Sequence, residues 1–348
     1  MIDASPTGSQ TRAQRGWLRA GARVMGLAAI GCVLLLCAAW AAAALYFDVR
    51  VPWLRLPLAG GYLAGLLALW ILARGRGLKI GITAGAFLLV LAWWFTLRPS
   101  NDREWQPDVA ALAYADVRGN RVTVHNVRNC DYRTEADFDA RYYDRTFRLD
   151  RLRSADLFMV YWGSPLIAHT MVSFGFDGGD YLCFSIETRK QKGETYSAVR
   201  GLFRQYELIY VAADERDIVR LRTNYRQGEE VYLFRINGSP VQARALFLDY
   251  VRRLNQLRKK PEWYNALTDN CTTSIRAQRA ASDRAPWDWR MLANGHGDQL
   301  LYERGLIATN LPLAELKDRA HINARARAAE RDPDFSRLIR QGVPGIEP

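Results

Sequence analysis

Before Arg98 the chain holds three apolar runs without a single charge: Met25–Phe47, Leu56–Ala73 and Ile80–Leu97. A helix of about 20 apolar residues spans the hydrocarbon of a bilayer, where every backbone polar group must be satisfied within the segment. The first run is long enough outright; the other two lie near the short limit but carry no charge. A cleaved signal peptide accounts for one such run and not for three in series. Buried helices of a soluble core are the alternative, and the run lengths argue against it. Lysine and arginine placement orients the spans. The tail carries Arg12, Arg15, Arg19 and Arg23, and the second loop carries Arg74, Arg76 and Lys79, whereas Asp48 offsets Arg50 and Arg55 in the first loop. The tail and second loop are therefore expected in the cytoplasm and everything after Arg98 outside, with Trp93 and Trp94 at the outer interface.

The formal charge of +12 invites a nucleic-acid reading, but nine basic and two acidic residues lie before Arg98, which leaves only +5 for the larger remainder. Most of the basicity is thus an orientation signal, and the residue favours an anionic lipid surface over nucleic acid. Of the five cysteines, Cys32 and Cys37 fall in the first span, and Cys130, Cys183 and Cys271 fall outside it. In an oxidising compartment an odd count leaves a thiol unpaired, and a Cys130–Cys183 bridge leaving Cys271 free is one arrangement open to the chain.

Residues 1–24 read as a polar cytoplasmic tail, 25–97 as a three-helix membrane region, 98–299 as an outer domain and 300–348 as a charged helical extension. That extension runs helical through Ala314–Ala329 and ends in a loose Gly/Pro segment. Strand-like alternation marks Arg121–Val127, Leu157–Trp162, Ile167–Phe176, Tyr181–Glu187, Tyr206–Val211, Asp217–Leu221 and Val231–Ile236. Asp177-Gly178-Gly179-Asp180 joins two of these as a hairpin. Ser239-Pro240-Val241-Gln242 has capping-box spacing and starts a helix with Leu246, Tyr250, Val251, Leu254 and Leu257 on one face; Lys260-Pro261 ends it.

Asp269 and Asn270 are good N-cap residues, and they place Cys271 in the first turn of a following helix. Backbone N–H groups there favour an anion, so the thiol tends toward thiolate, the form that attacks carbonyls. The alternative is a small buried residue at a helix start. A nucleophilic thiol needs a base within reach and a group to orient that base. The chain has four histidines: His125, His169, His296 and His321. His169 ranks first, because the hairpin brings its strand beside the one bearing Glu187; His125, in mid-strand, ranks second. No histidine or cysteine pair has close metal-ligand spacing, so no metal and no cofactor are expected. No nucleotide fingerprint is present.

The segments Asn126–Asn129, Tyr142–Thr146, Ala168-His169-Thr170, Ser185–Arg189, Gly201–Phe203, Tyr210-Val211, Trp263–Asn265 and Thr268–Thr273, in that order over about residues 120–280, resemble the Lnb N-terminal periplasmic domain family. The resemblance implies an α+β architecture: three transmembrane helices followed by a periplasmic papain-like thiol domain with an antiparallel sheet, permuted so that the His strand precedes the Cys helix. It implies a multi-pass protein of the bacterial inner membrane that moves or hydrolyses acyl esters of lipid or lipoprotein. Cys271 is then the nucleophile, His169 the base, and Glu187 an orienter or substrate contact. Arg189, Lys192, Tyr264 and Asn270 are expected at the substrate, with the two basic residues alternatively solvated charges. A cysteine amidase or peptidase acting on cell-wall peptide is the second enzymatic reading. A non-catalytic membrane-tethered binding domain is the third. Oligomeric state is left open.

Overall fold

A computed structural model describes residues 8–265, 288, 290 and 294–346. The chain divides into two compact units, Met1–Arg98 and Pro99–Pro348.

The first unit is three helices, α1 (Gly8–Asp48), α2 (Pro52–Leu72) and α3 (Arg76–Thr96). Each contains a stretch long and apolar enough to cross a membrane: Gly21–Asp48, Pro52–Leu72 and Arg76–Thr96. Their packed faces carry small residues, Ala41 and Ala44 on α1 and Ala59 on α2, which let helix backbones approach where no hydrophobic effect drives association. Two indole N–H groups in these helices find partners within the unit. Trp94 donates to the Asp48 carboxylate at 2.8 Å, and Trp70 donates to the Thr83 hydroxyl at 2.9 Å.

The second unit is built on a sheet. Its strands are β1 (Tyr114–Arg118), β2 (Arg121–Arg128), β3 (Asp131–Tyr132), β4 (Phe138–Asp139), β5 (Tyr142–Arg148), β6 (Leu152–Trp162), β7 (Ser164–Phe176), β8 (Asp180–Arg189), β9 (Glu207–Ala213) and β10 (Glu229–Arg235). Eight of them form one sheet in the order β1-β2-β9-β8-β7-β6-β10, with β5 also on β2; β3 and β4 pair separately. Pairing is antiparallel except for a single parallel bridge, Arg128 to Ala213.

Both faces of this sheet are covered, which explains why β6 reads as an almost continuous apolar run. Leu157, Met159, Phe174 and Phe184 point to one face and pack on α5 (Pro240–Lys259) through Phe247, Tyr250 and Leu254. Phe158, Val160, Met171 and Cys183 point to the other, with Ile218, Val219, Phe335 and Ile339. The α5 helix starts as its sequence predicts: Ser239 accepts from Gln242 N–H at 3.3 Å and Gln242 accepts from Ser239 N–H at 2.8 Å.

Two sequence expectations are corrected. Asp217–Leu221 is helical: α4 (Glu215–Arg220) runs into a π turn, Leu221–Tyr225. Asp214 caps α4 by accepting from Arg216 N–H, and Asp217 is buried to receive both prongs of Arg128 at 2.8 and 2.9 Å. A short apolar run fits a strand and a buried helical turn equally well by period, and here the cap and the buried ion pair decide. Nor is the C-terminal segment loose. After α6 (Gly297–Glu303), α7 (Leu313–Ala320), α8 (Asn323–Ala328) and α9 (Phe335–Leu338), Ile339 and Val343 are buried. Arg340 grips Glu215 with two bonds at 2.7 and 2.8 Å and Asp156 with a third at 2.9 Å. Turn-forming glycines said nothing about these long-range partners.

The Cys130–Cys183 bridge does not form. Both thiols are free and fully buried, in separate apolar clusters. Burial pushes the Cys130 thiol up to about 12 and Cys183 well above its ordinary value, so neither is a ready nucleophile.

Candidate active site

The β7–β8 hairpin turns at Gly178 and Gly179, whose φ values of 94° and 82° suit glycine. The turn fixes register: Phe176 faces Asp180 and Met171 faces Ser185. The paired register ends there, and two residues beyond it on each strand the side chains of His169 and Glu187 meet at 3.3 Å. By alternation both side chains share the face of Met171 and Cys183, the face that α4 and the π turn cover.

There the imidazole, a hydroxyl and a carboxylate form a chain. His169 Nε2 lies 2.7 Å from Ser185 Oγ and 3.3 Å from Glu187 Oε1, and Ser185 Oγ donates to Glu187 Oε1 at 2.6 Å. An ionised carboxylate only accepts, so the serine proton is committed to Glu187. The serine oxygen must then accept from Nε2–H. Nε2 of His169 therefore carries a proton. Ser185 is completely buried, so its bonds compete little with water.

Arg222 closes the arrangement from the π turn. Its Nη2 donates to Glu187 at 2.8 Å and its Nη1 to Glu229 at 3.3 Å. Burial opposes charge on Glu187, but His169 and Arg222 outweigh it and hold the carboxyl well below its usual range. The turn is wide because Arg226 N–H reaches the Leu221 carbonyl, five residues back, at 2.9 Å. Such single π turns concentrate at functional sites.

These groups line a cleft of about 500 Å³, with Trp162, Tyr196 and Tyr264 among its apolar walls and Asp108, Lys190 and Arg226 among its charges. Of the residues the sequence singled out, His169, Glu187 and Tyr264 meet here. Arg189 does not. Its guanidinium is buried, donates to the carbonyls of Val109 and Ala110 and to Asn101, and stacks on Trp105 at 4.2 Å. It therefore serves the fold and is not a solvated charge. Lys192 is exposed and stands outside the cleft lining, where Lys190 takes the basic position. Cys271 and Asn270 lie outside the described residues. His125 is held between Asp144 at 2.6 Å and Asp116 at 3.2 Å and stacks on Tyr114, a surface role. His321 pairs with Glu230 at 2.5 Å, and His296 lines a different cleft. Among the described residues no three His, Cys, Asp or Glu side chains gather to hold a metal.

Ser185 and Arg222 went unnoticed in the sequence. Ser185 stands two positions before Glu187 on one strand, so period-2 alternation was a usable signal. Arg222 had none: it lies just past the stretch Asp217–Leu221 that read as a strand, and the π turn that aims it has no local signature.

Three long apolar helices and a mixed α+β unit with a charged, histidine-bearing cleft define a membrane protein with an extramembrane domain. Residues 138–295 match the family model of the Lnb N-terminal periplasmic domain. The chain thus carries that domain, as its motifs indicated, and is a membrane protein with a periplasmic domain. The match spans β4 to the turn before α6 and takes in His169, Ser185, Glu187, Arg222 and Cys271. No curated protein and no solved structure matches the chain.

Proposed function

We propose that this protein is a cysteine-dependent acyltransferase or hydrolase of the bacterial inner membrane, acting on acyl esters of lipid or lipoprotein at the periplasmic side. The observation that carries the reading is the His169–Ser185–Glu187 chain on the cleft wall, an imidazole oriented through a hydroxyl by a carboxylate. The N-terminal tail is cytoplasmic by its arginines, and three crossings bring the domain out.

In this reading Cys271 gives its proton to His169 Nδ1, and the thiolate attacks the ester carbonyl carbon. The ester C–O bond breaks, the leaving alkoxide takes the proton from the imidazolium, and a thioester remains. An amine or water then attacks the thioester, loses a proton through His169 to the departing sulfur, and carries the acyl group away. Tethering beside the bilayer supplies lipid-linked substrate at high effective concentration. Exposed Trp162 and Tyr196 at the cleft, with exposed Val199 three residues beyond Tyr196, suit an acyl chain. Lipoprotein N-termini, analysed by mass spectrometry with and without the protein, test the reading. An altered acylation pattern that disappears with Cys271→Ala or His169→Ala supports it, and an unaltered pattern overturns it.

One observation favours an amidase or peptidase acting on cell-wall peptide: the same cleft is lined by Asp108, Glu135, Lys190, Glu194 and Arg226, charges that suit a peptide. Changed muropeptides alongside unchanged lipoproteins decide for it.

A further inference from the structure

Arg222 is buried, comes from a π turn and shares its two terminal nitrogens between Glu187 and Glu229. We propose that Arg222 is a positioning residue that sets the proton affinity of His169, engaging the Glu187 carboxylate so that the imidazole stays a neutral acceptor. The inference rests on the reading of His169 as the base.

The argument is one of charge balance. A carboxylate 3.3 Å from a half-buried imidazole favours imidazolium. An imidazolium has no lone pair and cannot take a thiol proton. Here the oxygen nearest His169, Glu187 Oε1, also receives Ser185 and Arg222. Its negative charge is shared with a permanent cation, because guanidinium does not deprotonate in proteins. Glu229 tunes the effect, since it draws on the other arm of Arg222 and is itself met by Arg226 at 3.3 Å.

Among the described residues, Arg128 and Tyr196 line the cleft with the groups that follow. Glu187 faces His169 from β8, Arg222 from the π turn, and Glu229 stands behind Arg222 at the start of β10. Lys190, Glu194 and Asp108 lie along the same cleft, as do Glu135, which pairs with Arg226, and the phenol of Tyr264. Of these, Arg222 is the cation bonded to the carboxylate beside the imidazole. An ordinary α-turn would advance the chain by one residue fewer, and the inserted residue of the π turn is what re-aims the side chains after Leu221.

The test reads the imidazole and not turnover. Full-length protein in lipid nanodiscs, labelled with ¹⁵N-histidine, is titrated by NMR; with four histidines the signals are assignable by single substitutions. In the wild type, neutral His169 is expected to carry its proton on Nε2. Arg222→Met is expected to raise the His169 midpoint by about one pH unit or more, the size of shift a neighbouring charge produces. The rise is expected to be much smaller in a Glu187→Gln background. Glu229→Gln, which leaves the guanidinium in place and frees it for Glu187, is expected to lower the midpoint. An unchanged midpoint in folded Arg222→Met, or a rise just as large without the Glu187 charge, overturns the proposal. Where Arg222→Met does not fold, an unchanged midpoint in Glu229→Gln overturns it. Lipoproteins unaffected by Cys271→Ala would instead remove the enzymatic reading, whatever the midpoints do.

Discussion

At the residue scale, two glutamates of one sheet are tuned in opposite directions. Glu187 is held ionised by His169 and Arg222 against the cost of its burial. Glu207, at the start of β9, is more deeply buried, and there burial outweighs the attraction of Arg103 at 2.6 Å and pushes the carboxyl up to about 7. The signs follow from linkage. Glu187 has a lowered folded pKa, so it stabilises the protein above the unfolded value of about 4.3, and that stability disappears as pH falls through the folded value. Glu207 has a raised folded pKa, so the folded state binds the extra proton and stability falls as pH rises from about 4.3 to 7. Thermal melts across that window are expected to decline with pH in the wild type and to flatten in Glu207→Gln. A slope equal in both proteins would rule the assignment out. For activity, Cys271→Ala and His169→Ala are expected to abolish turnover by at least about 10³-fold, and Ser185→Ala to cost less, about 10- to 100-fold, since Glu187 remains 3.3 Å from the ring. Kinetics on purified full-length protein measure both.

At the element scale, the β7–β8 hairpin does the positioning. Its two-glycine turn sets a register that aligns His169 with Glu187, and a slip of one residue would send one of the pair to the opposite face. The sheet bearing the hairpin is held by α5. Phe247 is fully buried among the rings of Phe147, Phe174, Phe176 and Phe184. Phe247→Ala is expected to cost about 3–5 kcal/mol, and Ser239→Ala at the helix cap about 1 kcal/mol, in denaturant unfolding. Equal losses at the two positions would contradict this account of what secures the helix.

At the scale of the whole molecule, the C-terminal segment completes the second unit. Phe335, Ile339 and Val343 cover the sheet face opposite α5, and Arg340 ties that segment to Asp156 on β6 and Glu215 on α4. Removing one partner of a buried ionic set strands the others, so Arg340→Met is expected to destabilise the domain by about 3–5 kcal/mol. Thermal shift of the full chain checks it, with Arg337→Met, whose side chain is exposed, as the near-neutral control. The orientation proposed from the basic residues is tested by fusing a reporter active only in the periplasm after residue 346 and, separately, before residue 8. Activity at the first site alone is expected.

What the amino-acid order determined by itself is local or periodic. The spans follow from uninterrupted apolar length, the α5 start from a four-residue cap, and the hairpin from Asp-Gly-Gly-Asp; each has its cause within a few residues. His169 and Glu187 were legible together because a hairpin makes distant residues neighbours by a rule of counting. Tertiary structure alone decided the rest. Asp217–Leu221 is a helical turn because Arg128, far away in sequence, pairs with Asp217 inside the fold. Arg189 turns inward because Trp105 and two carbonyls await it there. Arg222 reaches Glu187, and Arg340 reaches Glu215, across the packed face of the sheet. A buried charge takes its conformation from its partners, and those partners are set by the packing of the sheet's two faces, which no local pattern records.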